Sequence, residues 1–288
     1  MQSYIQELKT NGFTVIPDIL TNEEIVTAKN LFLNWKNNLQ NHDKIHNLCD
    51  PHGIYKFQEV GHQEHAWYLR TRPKVREVFE TLWDTTDLVV SFDGCCWIPK
   101  NCKKKDNFWC HSDQSPLVDK FACAQGFISL TDNKERTLVI WRNTHKIHSK
   151  YLKIVNKKNL KSNWQKIPNE HEDLLQPLRN PLTVKAGSIV LWDSRVFHQN
   201  QYGNPNSEER LVQYICMMPK NSEKNTAVMQ KKRRDYFNAR RTTSHWPYPI
   251  KVNGLQPRNY GNPELSIDYN KLIKPNLEKY TSQINDLL

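Results

Sequence analysis

The 288-residue sequence has no run of about 18 apolar residues, so a membrane-spanning helix is not expected. Its opening, MQSYIQELKTNGF, has no basic segment followed by an apolar core, and a secretory signal is not expected either. Of its seven cysteines, an odd number, none forms a C-x-x-C pair. That spacing argues against a cysteine-based zinc cluster. A disulfide framework belongs to oxidising compartments, so reduced thiols and a cytoplasmic location are expected. Internal repeats and low-complexity tracts are missing. Acidic residues are outnumbered, 30 against 41 lysines and arginines, for a formal net charge of +11. Such a field favours anionic partners. A chain rich in lysine and asparagine for compositional reasons would carry the same excess without a functional cause.

What remains is a composition of 38% hydrophobic and 25% charged residues, which suits a soluble globular chain. The length allows one large domain, expected over 1–288. The spacing predicts an N-terminal helical support over 1–85. A short helix should end near Gly12, followed by a strand in FTVIPDIL broken at Pro17. A better helix should start at Thr21, with Glu24 three residues on as its capping-box partner and Ile25, Ala28, Leu31 and Phe32 as an apolar stripe. PKVREVFETLW should form a helix opening on Pro73. Over 86–220 the pattern changes to short β-branched and aromatic runs: LVVSF, CCWI, FACAQGFISL, TLVIW, LTVKAG, SIVLWD and LVQYICMM. Turn residues separate most of them, which predicts a sandwich or jelly-roll barrel. A polar, lysine-rich insert at about 150–180 is expected to be a surface excursion. A basic C-terminal extension follows over 221–288.

Within the strand-rich region, WCHSDQSP places His111 and Asp113 two apart. On a strand, residues i and i+2 face the same side, so the two would project together with Ser112 turned away. An imidazole and a carboxylate suit a divalent metal, but a third ligand is needed. His198, in GSIVLWDSRVFHQN, is the best-placed candidate. His42, His46, His52, His62 and His65 precede the strand-rich region, His145 and His148 flank an expected strand exit, His171 lies in the insert, and His245 in the proline-rich tail. Two histidines and one carboxylate form the facial triad of non-haem iron(II) oxygenases. Arg210, twelve residues after His198, opens the run RLVQYICMM. A guanidinium at the head of a buried strand calls for an anion, and its fork matches a carboxylate such as that of 2-oxoglutarate. The alternative makes Arg210 a rim residue paired with Glu208 or Glu209.

Taken in order, HSD, AQGFISLTDN, TLVIWRNTHK, GSIVLWDSRVFHQN and RLVQYICMMPK, together with the early NGFTVIPDILTNEEI, resemble the phytanoyl-CoA dioxygenase (PhyH) family of iron(II)/2-oxoglutarate oxygenases. The resemblance spans about residues 11–220. It implies a mainly β fold with flanking helices around a double-stranded β-helix (jelly-roll, cupin-like) core. It also implies iron(II) at His111, Asp113 and His198, and 2-oxoglutarate on Arg210 with dioxygen as the oxidant. Gln125 falls where the family often has an inward side chain near the cosubstrate, Asn200 where it often has a small hydroxyl residue, and Lys56 roughly where a family lysine reaches in. RNTHK lacks the glycine of the family's corresponding loop, and KER replaces its paired glycines. An aspartate at position 113 argues against halogenation, since related halogenases have a small residue there.

The activity so implied is a 2-oxoglutarate-dependent hydroxylation of a small or acyl-linked substrate, anionic if the net charge has a functional cause. In MQKKRRDYFNARRTTSHWPYP, Lys231 to Arg234 with Arg240 and Arg241 offer a grip for phosphate or nucleic acid, and Tyr236 and Phe237 offer rings for stacking. A solvated helix covering the core with its apolar side accounts for the same residues. The competing classes are a nucleic-acid-binding or nucleic-acid-modifying oxygenase, and a cupin-type metal protein that does not use 2-oxoglutarate.

Overall fold

The computed structural model describes residues 2–288. In chain order its helices are α1 Gln2–Asn11, α2 Asn22–Asn37, α3 His42–Cys49, α4 Glu64–Arg70, α5 Pro73–Trp83, α6 His148–Val155, α7 Glu172–Leu175, α8 Ala227–Asn238 and α9 Thr281–Asp286. Its strands are β1 Phe13–Ile16, β2 Ile54–Tyr55, β3 Leu88–Val90, β4 Cys95–Ile98, β5 His111–Ser112, β6 Ala124–Ser129, β7 Leu138–Trp141, β8 Gln165–Lys166, β9 Arg179–Pro181, β10 Ile189–Asp193, β11 Phe197–Asn200, β12 Arg210–Ile215 and β13 Met217–Pro219. Among the described residues no helix is long and apolar enough to cross a membrane. None of the seven cysteines is in a disulfide among the described residues.

Local chemistry sets several boundaries. Gly12 ends α1 at φ +86°, a backbone that side-chain-bearing residues avoid, and a Cβ there would stand 2.5 Å from His145 Nδ1. Thr21 caps α2: its hydroxyl accepts from Glu24 N at 3.2 Å, while Glu24 Oε2 accepts from Thr21 N at 2.9 Å. A cap of this kind is worth about 1 kcal/mol. Pro73 occupies the first turn of α5, where its missing N–H costs nothing. Val75, Val78 and Phe79 form the buried stripe of that helix.

Two compact units make up the chain. One comprises the described residues up to Pro17 together with Ile98–Arg210. It holds a five-stranded antiparallel sheet in the order β8-β5-β11-β7-β9, and the antiparallel trio β1-β10-β6. The insert is not the surface excursion expected of it. Leu152, Ile167 and Leu175 are buried with Cys110, Val139, Trp141 and Phe197, so the insert covers one face of the five-stranded sheet. It also supplies the edge strands β8 and β9. Burying each such aliphatic side chain contributes about 1.5–3 kcal/mol, which outweighs the polarity of the lysines between them. LTVKAG forms only an isolated bridge, Val184 to Asn133.

The other unit comprises Asp18–Trp97 and Leu211–Leu288. Here β4 pairs antiparallel with β2, and β13 with β3. LVQYICMM divides at Cys216 into β12 and β13. Phe237 of α8 lies 5.6 Å from the Trp67 ring and 5.7 Å from His62, so it is a packing residue and not a free stacking platform. Arg233 is fully buried and donates to Asn225 Oδ1 at 3.1 Å and to Pro247 O at 2.8 Å. Arg240 pairs with Glu59 at 2.6 Å, and Lys231 with Asp235 at 2.8 Å. The basic run is thus partly structural, and a helix that packs by one side describes it better than a free cationic grip.

Candidate metal centre

The two-residue strand β5 pairs with β11 so that His111 lies opposite His198. Directly opposed residues project from the same face, and these two rings stand 4.3 Å apart, centroid to centroid. Asp113 follows in a pinned turn. Its N–H donates to Ser194 O at 2.9 Å. Gln114 accepts from Ser194 Oγ at 2.7 Å and donates to Val118 O at 2.6 Å and Lys120 O at 2.9 Å. Asp113 Oδ2 then lies 3.5 Å from His111 Nε2 and 3.2 Å from His198 Nε2.

The second nitrogen of each ring fixes the tautomer. His111 Nδ1 lies 3.2 Å from Trp109 O, and His198 Nδ1 lies 3.0 Å from Val196 O. A carbonyl only accepts, so each Nδ1 carries the hydrogen and each Nε2 presents a lone pair toward the carboxylate. Lone pairs converging on an anionic oxygen call for a cation among them. For His198 a proton is disfavoured: burial holds its pKa below the usual imidazole range, and the neighbouring His111 adds to the effect. A metal ion fits. Adjacent ligands on an octahedral ion with bonds of about 2.1 Å lie about 3.0 Å apart, close to the separations found. All three ligand atoms fall within 4.8 Å of one another. Among the described residues this is the one such cluster of three histidine, cysteine or acidic side chains.

Around the cluster the other expected residues divide. Gln125 donates from Nε2 to Asp113 Oδ2 at 2.9 Å. It is brought there by the pairing of β6 with β10, which sets it opposite Trp192. Asn200 shares the His198 face of β11, about 6.6 Å farther along the strand. Its Oδ1 accepts from Arg210 Nη2 at 3.2 Å. Arg210 is fully buried, with its guanidinium carbon 5.0 Å from the Phe127 ring centroid, so it is not a rim residue. Its Nε and Nη1 have no acceptor among the described residues. Glu208, one of the rim alternative's two partners, instead accepts the backbone N–H groups of Lys134, Glu135 and Arg136 at 2.6–3.0 Å. Two orphaned donors on a buried guanidinium are costly unless an anion meets them. Lys56 is exposed and belongs to the other unit.

Three tryptophans near the cluster were not singled out in the sequence. Trp109 stacks on His111 at 4.9 Å and 24°, and its indole N–H donates to Asn200 O at 2.9 Å. Trp192 stands 5.4 Å from His198, and Trp164 stands 6.0 Å from His111. Trp109 is two residues before His111, a spacing that hinted at a shared face. Trp164 had no such hint, because the insert that carries it reads as polar.

Residues 8–205 match the model of the phytanoyl-CoA dioxygenase (PhyH) family. The chain belongs to this family. Members use iron(II), 2-oxoglutarate and dioxygen. A curated relative, Ava biosynthesis cluster protein O of Aspergillus versicolor, is 30% identical over 186 residues, 60% of each protein. The match therefore spans less than two thirds of that relative's length. Among solved structures, HygX from Streptomyces hygroscopicus with nickel and 2-oxoglutarate bound is similar at a TM-score of 0.54 and 12% identity, over 77% of this chain and 88% of that one. The epimerase SnoN, in complex with Fe3+, alpha ketoglutarate and nogalamycin RO, is similar at 0.50 and 15%, over 76% and 83%. At these identities the likeness is one of fold, a mainly β architecture with flanking helices and a jelly-roll core.

Proposed function

We propose that this chain is an iron(II)- and 2-oxoglutarate-dependent dioxygenase that hydroxylates a small or acyl-linked substrate. The observation that carries the reading is the convergence of two Nε2 lone pairs on the Asp113 carboxylate, in the same unit as a buried arginine with two unsatisfied donors. His111, Asp113 and His198 would hold the metal on one face, leaving the other positions open. Bound iron would supply dioxygen activation coupled to oxidative decarboxylation of 2-oxoglutarate to succinate and carbon dioxide.

The chain's own residues supply geometry. The Nδ1–H bonds to Trp109 O and Val196 O set the tautomer and aim both Nε2 atoms. Gln125 holds Asp113 Oδ2 from the side, which fixes the carboxylate plane. Arg210 would take the distal carboxylate of 2-oxoglutarate with its free Nε–H and Nη1–H, and Asn200 steadies the guanidinium through Nη2. Trp109 and Trp192 cover the imidazoles and keep bulk water off them. Gln125 therefore serves the metal carboxylate, and Asn200 serves the arginine. The test is aerobic succinate formation from 2-oxoglutarate with added iron(II). It should be measurable without substrate and absent in Asp113→Ala. Equal turnover in that variant would contradict the reading.

A further inference from the structure

Trp164 combines two properties that oppose each other. The residue is 49% exposed, yet its ring lies 6.0 Å from the His111 ring at an interplanar angle of 33°. The backbone beside it is held firmly. Gln165 is fully buried and donates to Asn159 O at 2.7 Å and Ser162 O at 2.6 Å, while Asn156 donates to Gln165 Oε1 at 3.1 Å. Ser162 Oγ donates to Trp164 O at 3.0 Å. The turn after Asp113 is tied to the same loop, with Ser115 N donating to Asn163 Oδ1 at 3.2 Å and Ser115 Oγ to Leu160 O at 2.6 Å. That turn leaves Leu117 and Val118 exposed at 55% and 37%. Two braced segments beside the ligand set thus present apolar side chains to solvent, a cost that a bound apolar molecule would remove.

Strand alternation adds a charge. Lys166 lies directly opposite His111 in the β8–β5 pairing, so it projects from the His111 face. Trp164 and Lys166 flank the buried Gln165 and share that face. An exposed tryptophan and an exposed lysine therefore flank Gln165 on the side of the sheet that carries His111.

We infer that Trp164 is the substrate-facing wall of the metal centre, and that the substrate lays an apolar ring or chain against its indole and turns an anionic group toward Lys166. The inference rests on the metal-centre reading for its location. Binding to the wall itself requires no metal.

The test uses 2-naphthoate, an apolar bicycle with one carboxylate, and the neutral 2-naphthol, followed by saturation-transfer NMR on the full chain without metal. Both should bind the wild type. Trp164→Ala should weaken both about five-fold, the size of one aromatic contact, and Trp164→Phe should restore most of it. Lys166→Gln should weaken 2-naphthoate about two- to five-fold and leave 2-naphthol unchanged. Adding manganese(II) should then broaden the ligand signals through proximity to the cluster. Equal binding by wild type and Trp164→Ala, no binding to the wild type, or bound manganese(II) that leaves the ligand signals sharp would each overturn the inference. Failure of manganese(II) to bind, with the Trp164 dependence intact, would remove the metal-centre reading and leave the wall standing.

Discussion

Gln125 donates its side-chain N–H to Oδ2 of Asp113 at 2.9 Å, the same oxygen that the two histidine Nε2 atoms approach. The amide therefore acts on the carboxylate that faces the metal position. Gln125→Ala should lower metal affinity about 10- to 100-fold, as loss of such supporting partners does. Isothermal titration with manganese(II) measures it. An unchanged affinity would show that the carboxylate needs no support.

Arg210→Lys should weaken 2-oxoglutarate binding at least ~100-fold while metal affinity changes little. Lysine keeps the charge and loses the planar fork, and an unpaired buried charge costs several kcal/mol. Each ~1.4 kcal/mol is a factor of ten. A rim arginine would contribute only about 0–1 kcal/mol, so the substitution would hardly register. Equilibrium dialysis with labelled 2-oxoglutarate distinguishes the two outcomes.

The basic helix should divide by burial. Neutralising Lys231, Lys232 and Arg234, all exposed, should leave the thermal midpoint and cosubstrate binding near wild type. Arg233→Gln should destabilise the fold by about 2–4 kcal/mol, because it strands Pro247 O and leaves space in a packed site. Urea denaturation of both variants checks the contrast, and equal effects would contradict it.

How much of this was legible follows from locality. The Thr21–Glu24 cap and the α5 stripe were readable because each depends on residues within one or two helical turns. The grouping of His111, Asp113 and His198 was readable because strand periodicity and residue chemistry narrow the choices among eleven histidines. Gln165–Lys166 was not readable as β8. Two residues in a lysine-rich stretch have no periodicity, and their strand character comes from pairing with β5. Trp164 went unnoticed for the same reason. The basic run around Phe237 was misleading in another way: a phenylalanine between arginines looks available for stacking until Trp67 and His62 are seen against it.

Acid should unfold the chain over a defined window. Burial lowers the pKa of His62 and His65 to about 3, and that of His42 and His148 to about 4. Below the ordinary value of 6.5 the unfolded chain binds more protons at these positions than the folded chain, so stability rises with pH there. It is fully present above about 6.5 and falls as pH drops toward 4 for His42 and His148 and toward 3 for His62 and His65, by up to about 1.4 kcal/mol per pH unit for each histidine. Urea midpoints measured from pH 7.5 to 4.5 should decline mainly below 6.5. A flat profile would contradict this account of the buried histidines.

The most direct measurement is an anaerobic titration of the full chain with iron(II) and then 2-oxoglutarate, followed by visible absorption. The wild type should bind one iron and develop the charge-transfer band of the chelate on adding 2-oxoglutarate. His111→Ala and His198→Ala should bind no stoichiometric iron and show no band, with circular dichroism unchanged. Stoichiometric iron retained in either variant, or no band in the wild type, would contradict the assignment of His111, Asp113 and His198 as the iron site.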